Sequence, residues 1–162
     1  MSHPGDEPTH DTIVELLNGV LTAELTAVNQ YFLHAKMCAH WGYEVLASKI
    51  RAESIDEMRH ADVLIDRILT LKGLPNVQRL GRVRIGETVP EQLRADLALE
   101  KEAIPALRAG IHTCRRGGDH TTAGLLEAIL AAEEAHAEWI ETQLELIEKL
   151  SEAVYLAQQL RS

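Results

Sequence analysis

Residues 53–62 read Glu53-Ser-Ile-Asp-Glu57-Met58-Arg-His60-Ala-Asp62, and residues 133–136 read Glu133-Glu-Ala-His136. Each holds a Glu-x-x-His, Glu57/His60 and Glu133/His136. Residues three apart share one face of a helix, so each pair can converge on one ion. A lone Glu-x-x-His is usually a solvated helix face. The fold is decided by what surrounds these two.

Outward from each pair, at steps of three and four, the neighbours are apolar. One stripe runs Leu46, Ile50, Glu53, Glu57, His60, Leu64, Ile68, and another Leu126, Ile129, Glu133, His136, Ile140, Leu144. Two more stripes follow the same rule. They are Ile13, Leu17, Val20, Glu24, Ala27, Tyr31, Ala35, Cys38, and Leu93, Leu97, Glu100, Ile104, Leu107, Ile111, Cys114. Each is interrupted near its middle by Glu. Glu24 precedes Glu57 by 33 positions and Glu100 precedes Glu133 by the same 33, so the pattern repeats after 76 residues. Little else in the two halves matches.

The stripes predict four helices. The first starts at Asp11 or Thr12, where Thr12 and Glu15 have capping-box spacing, and runs to about His40. The second covers about Tyr43 to Leu71 and stops at Gly73-Leu-Pro75. Residues 72–89 read as a connection. The third begins at Pro90 and ends at Gly117-Gly118, with Pro105 expected to remove one hydrogen bond and kink it near Glu100 or beyond. Asp119 caps a fourth, from His120 to Leu150, and Ser151 a short fifth to Leu160. Three joins are short and imply sharply turned or antiparallel neighbours. The eighteen residues of the second join can stretch up to ~60 Å, enough to return along the bundle. The expectation is an all-α four-helix bundle with one long crossover connection and a short fifth helix. Residues 1–10 read as a flexible tail and 11–162 as one domain.

Composition agrees. The 162 residues are 46% hydrophobic but only 4% aromatic, and Gly and Pro total ten and five. This favours helix over sheet. The net charge of −9 disfavours nucleic acid as the main partner and is compatible with cations. No apolar run approaches a membrane span, and the start lacks a secretory signal. Cys38 and Cys114 form no CxxC and suggest reduced thiols in a cytoplasmic protein.

Four carboxylates in a bundle core are costly to bury unpaired. They must protonate, face water, or bind cations. Two divalent ions would balance four Glu, and the oxygen and imidazole donors suit iron or manganese but also zinc. One Glu from each of two helices, with Glu-x-x-His from each of the others, is the ligand set of ferritin-like di-iron bundles.

At these residues the chain resembles the bacterioferritins. The resemblance runs from about Val14 to Leu160. It is densest in Ala23-Glu-Leu-Thr-Ala-Val-Asn-Gln-Tyr-Phe-Leu-His-Ala35 and in 53–62, with Gly73-Leu-Pro-Asn76, Glu133-Glu-Ala-His136 and Trp139 adding to it. It implies a ferritin-like fold and a hollow 24-mer built from dimers, which oxidises Fe(II) with O2 or H2O2 and stores a ferric mineral. By residue, Glu24, Glu57 and His60 would hold one iron, and Glu100, Glu133 and His136 the other, with Glu57 and Glu133 bridging. Tyr31 matches a family Tyr near the site, although a core Tyr reads equally well. Met58 matches a Met that shares a haem b iron with its counterpart across a twofold axis, with electrons from a ferredoxin-like donor. On periodicity alone Met58 is interface packing. Ile55, Met58 and Ile65 on one helix, and Leu21, Leu25, Val28 and Phe32 on another, form extra apolar faces that a partner would cover.

Two positions depart from the family pattern. Ala52 stands where some members carry an iron-binding His, and Lys72 where some carry an acid near a pore. His34, His40, His112 and His120 read as solvated or interfacial, Trp41 and Trp139 as packing. Asp96 either orients a ligand His or is solvated. A non-storage di-metal oxidase or peroxidase and a metal-free structural bundle are the competing readings.

Overall fold

The computed structural model describes residues 8–161. It contains α1 (His10–His40), α2 (Glu44–Thr70), α3 (Val89–Arg116), α4 (His120–Leu150) and α5 (Glu152–Ala157). Residues 1–7, most of the expected tail, lie outside the described residues. The helix ends follow local chemistry. The Thr9 hydroxyl caps α1 by accepting from the Thr12 N–H at 3.2 Å, so the helix begins at His10, earlier than the Thr12–Glu15 spacing suggested. The Asp119 carboxylate caps α4 through the Thr122 N–H at 3.0 Å and also accepts from Arg67 of α2 at 3.1 Å. Helix α5 ends at Ala157, three residues before the expected Leu160.

Gly73 closes α2, but not by adopting a left-handed backbone. Lys72 takes that conformation, with φ 62°. Gly73 is needed for close approach, because a Cβ there would lie 2.5 Å from Val14 Cγ1. Pro105 does not break α3, which continues to Arg116. Its ring sits on the exposed side, where water can serve the carbonyl it leaves unbonded.

Two apolar clusters fill the two ends of the bundle. One joins Leu17, Leu21, Leu64, Ile68, Leu107 and Leu126, among others. The other includes Tyr31, Cys38, Leu46, Ile50, Leu93 and Ile140. Along α1 and α4 the chain meets the first cluster and then the second; along α2 and α3 the order reverses. Helices α1 and α4 therefore run parallel, as do α2 and α3, and the connection from α2 to α3 must traverse the bundle. Each helix passes from one cluster to the other at its Glu, so Glu24, Glu57, Glu100 and Glu133 meet at one level between two dry plugs. Leu21 is fully buried in the first plug and not part of an outward stripe.

The crossover, residues 71–88, forms no helix or strand. A polar ladder on α1 holds it. Asn18 bonds Leu74 and Asn76, Thr22 accepts from the Arg79 side chain, and the Gly81 N–H reaches Thr26 Oγ1 at 2.8 Å. The Arg84 N–H donates to Gln30 Oε1 and the Gly86 N–H to His34 Nε2, each at 3.0 Å. Positions 18, 22, 26, 30 and 34 recur every fourth residue, on one face of α1. An irregular segment thus has its backbone donors satisfied by side chains.

Candidate metal centre

Glu24, Glu57, Glu100, Glu133 and His136 are all at most 5% exposed, and the His60 ring is slightly more open. Their ligand atoms form two groups. Glu24, Glu57, His60 and Glu133 offer one atom each, all within 4.8 Å of one another; Glu57, Glu100, Glu133 and His136 do the same. Glu57 and Glu133 belong to both groups.

The contacts are those of a cluster short of cations. His60 Nδ1 lies 3.5 Å from Glu24 Oε2, 3.4 Å from Glu57 Oε2 and 3.2 Å from Glu133 Oε1. All four of these atoms are buried and lack a hydrogen-bond partner, as does Glu100 Oε2. Unsatisfied buried polar atoms are rare in folded proteins and call for an explanation. The other oxygen of Glu100 is well served. Oε1 accepts a short bond from the Tyr31 hydroxyl and contacts His136 Nδ1 at 3.0 Å, which leaves Oε2 facing the cluster.

Electrostatics tell the same story. Burial pushes the Glu100 carboxyl up to about 8 against the opposing pull of His136, and it raises Glu133 as well. Burial disfavours the imidazolium at His60, yet the close carboxylates of Glu133 and Glu57 outweigh it and hold the ring up at about 10. At His136 burial is likewise outweighed, by Glu100. Burial, with the charges of Glu100 and Asp96, keeps the Tyr31 phenol protonated well above its ordinary value. Without cations the site retains at neutral pH protons that carboxylates and imidazoles have ordinarily released. Cations would replace those protons.

The surroundings of His136 are more elaborate than the sequence suggested. Its ring meets Tyr31 nearly at right angles at 5.2 Å and stacks on Trp139 at 6.2 Å, so the packing expected of Trp139 falls against a candidate ligand. Glu53 Oε2 approaches His136 Nδ1 to 3.7 Å and pairs with Lys49 at 2.8 Å.

His34 is fully buried, neither solvated nor interfacial. Because Nε2 accepts the Gly86 N–H, the proton sits on Nδ1 and is donated to Asp96 Oδ1 at 2.8 Å. The same oxygen accepts from Gln30 at 2.9 Å. Asp96 therefore does orient a His, but one that holds the crossover and not a candidate ligand. The strict four-residue polar spacing in α1 was the available signal. His40, His112 and His120 are exposed, as expected.

Met58 lies on the opposite side of α2, 51% exposed, with Ile55 one turn before it 42% exposed. Phe32 is also exposed, whereas Leu25, Val28 and Ile65 are half-buried. The outward face is thus smaller than the stripes implied. No helix among the described residues is long and apolar enough to cross a membrane.

Comparison with known proteins agrees with this geometry. Residues 14–150 match the ferritin-like domain family. The chain is 56% identical over 146 residues to bacterioferritin BfrA of Mycobacterium tuberculosis, covering 90% of this chain and 92% of that one. It is 59% identical over 145 residues to a bacterioferritin of Streptomyces coelicolor, covering 90% and 87%. A solved structure of the M. tuberculosis protein superposes with a TM-score of 0.91 at 52% identity, covering 99% of this chain and 98% of that one. The central cluster, the helix order and these similarities together place the chain in the bacterioferritin family.

Proposed function

We propose that the protein stores and detoxifies iron, and that the central cluster is a ferroxidase site for two Fe(II). One observation carries this reading: two ligand groups share Glu57 and Glu133 and contain five buried atoms with no partner. Glu24, Glu57 and His60 bind one Fe(II); Glu100, Glu133 and His136 bind the other; Glu57 and Glu133 reach both. Each ion gives up one electron. The pair of electrons reduces O2, with two protons, to H2O2, or H2O2, with two protons, to two waters. Hard carboxylate oxygens bind the ferric product more strongly than the ferrous substrate, which drives the oxidation. Tyr31 holds Glu100 by one oxygen and leaves the other for the ion.

Storage requires a cavity, which one bundle cannot enclose, so the reading includes a closed shell of twenty-four copies in the cytoplasm. The half-exposed thioether of Met58, flanked by Ile55, fits one face of a haem b shared with a second copy. Bound there, haem would relay electrons from a ferredoxin-like donor to stored iron for release. Met58→Leu should abolish a low-spin bis-thioether spectrum, and an unchanged spectrum would refute that assignment.

The decisive test is aerobic addition of Fe(II). Glu24→Ala and His136→Ala should slow oxidation strongly, and wild-type rates in both would sink the assignment. A large-assembly mass supports storage; a monomer or dimer in solution would favour a non-storage oxidase.

A further inference from the structure

The site opens on two sides, and the two openings differ in chemistry. One is a cavity of about 240 Å³ whose floor is Glu24, Tyr31, Glu57, Glu100 and Glu133. It lies between α1 and α3, under the crossover. Its walls are mostly small or apolar, among them Gly19, Ala23, Ala27, Leu99 and Ala106. The Thr22 and Thr26 hydroxyls that also line it are already bonded to α1 carbonyls, Arg79 and the Gly81 N–H. Its mouth carries Arg82 and Arg84, and Arg84 reaches across to Glu102 of α3 at 2.9 Å. The roof is fixed by the ladder, because Gly81 and Arg84 both bond to α1 through their backbones.

The other opening is a hollow between α2 and α4. Glu53, Asp56, Glu57, His60 and His136 line it, with Lys49 paired to Glu53 at 2.8 Å and Arg59 to Asp56 at 3.0 Å. Because α1 and α3 form one face of the bundle and α2 and α4 the other, the openings lie on opposite sides.

A hydrated divalent cation moves through ligands that can replace its waters. The alanine and glycine walls offer none, the threonine hydroxyls are already bonded, and at the mouth Arg82 stands beside the Arg84–Glu102 pair and keeps the charge there positive. The acidic hollow suits a cation far better. A small, neutral, apolar molecule has the opposite preference. Accordingly, we propose that the cavity under the crossover admits dioxygen to the di-metal cluster. This deepens the ferroxidase reading and rests on it. Dioxygen arriving there takes one electron from each of two Fe(II) and two protons from water, leaving two Fe(III) and H2O2. The two openings then separate oxidant from cation by the ligands they offer.

Narrowing the cavity tests this. Ala106 is exposed on α3, so Ala106→Leu adds bulk at the mouth without disturbing the core. Gly19→Leu is an independent variant. A Cβ at Gly19 meets nothing within 4 Å, and Leu is the better helix former. Stopped-flow oxidation of Fe(II) is followed over a range of oxygen concentrations. In parallel, anaerobic Co(II) uptake is followed by its absorption bands. The expected result is a several-fold fall in the oxygen-dependent rate constant in both variants, with Co(II) uptake rate and stoichiometry unchanged. An unchanged oxygen dependence overturns the proposal. So does slowed Co(II) uptake, which would make the cavity a cation path. Failure of the underlying reading looks different: the unmodified protein would take up no Co(II) and oxidise no Fe(II).

Discussion

The two halves of the central cluster carry the same residue types 76 positions apart, yet they are supported differently. Glu100 has Tyr31 and His136 on one oxygen, and His136 is held between the edge of Tyr31 and the face of Trp139. Moved by 76 residues, Tyr31 corresponds to Leu107 and Trp139 to Val63. Leu107 is a core residue and Val63 is exposed, so neither can donate to Glu24 or stack on His60. The Glu24–Glu57–His60 half has its ligands but lacks this scaffold. The repeat is one of candidate ligands alone, and the difference in support predicts that one half is rigid and the other adaptable. Rigid supports around ligands raise affinity by lowering the cost of ordering them.

Glu57 and Glu133 stand outside this contrast, because both groups of candidate ligand atoms contain them. Glu57→Ala or Glu133→Ala should therefore cost both ions, weakening Co(II) binding more than about 100-fold, beyond the usual loss from a supporting partner. Glu24→Ala or Glu100→Ala should cost one equivalent each. Anaerobic Co(II) titration reads the stoichiometry directly. Two ions retained after Glu133→Ala would end the shared-ligand description.

A second difference appears on titrating the metal-free protein. Glu100, in the rigid half, has its pKa raised from 4.5 to about 8, and His60, in the other, from 6.5 to about 10. A folded-state pKa above the unfolded value stabilises the protein at low pH, and that stabilisation is lost as pH rises through the folded value. The melting temperature of metal-free protein should thus fall between about 4.5 and 8 through Glu100, and between about 6.5 and 10 through His60. Glu100→Gln should flatten the lower window and leave the upper one. Bound divalent metal should suppress both and release protons on binding. A metal-free protein that grows more stable from pH 5 to 9 would contradict the burial of Glu100 and the carboxylate contacts of His60.

How much of this could be read in the sequence follows from what each feature depends on. The four Glu and two His were legible because each breaks an apolar stripe at helical spacing, a local signal. The direction of the chain through the bundle was legible from one long join among short ones. Thr9 was missed because the Thr12–Glu15 pair has equally good spacing, and spacing alone does not say which of two nearby threonines caps the helix. His34 and Asp96 were misplaced for a different reason. Their partners are the backbone N–H of Gly86 and the side chain of Gln30, and an irregular crossover leaves no periodic signal of its own. Of the support around His136, Tyr31 came only through the resemblance and Trp139 was read as packing, because which side chains meet the ring depends on how α1, α3 and α4 pack together. Leu21 was read as outward because its stripe borders the core stripe of α1, and burial there depends on which neighbours the helix packs against.

The smallest expected effect isolates the scaffold itself. Tyr31→Phe keeps the ring that meets His136 and removes only the hydroxyl that holds Glu100. One buried hydrogen bond is lost, so metal-free stability should fall by about 1–2 kcal/mol. The sharper readout is metal. Freed from Tyr31, Glu100 can turn, and the equivalent bound by Glu100, Glu133 and His136 should weaken by about 10-fold. The equivalent bound by Glu24, Glu57 and His60 should not change, since nothing in that half touches the phenol. Co(II) titration of the variant resolves the two equivalents, and Tyr31→Leu, which also removes the ring edge beside His136, should widen the gap between them. Equal weakening of both would show that the halves act as one rigid unit through Glu57 and Glu133, and the contrast in their supports would then have no consequence for binding.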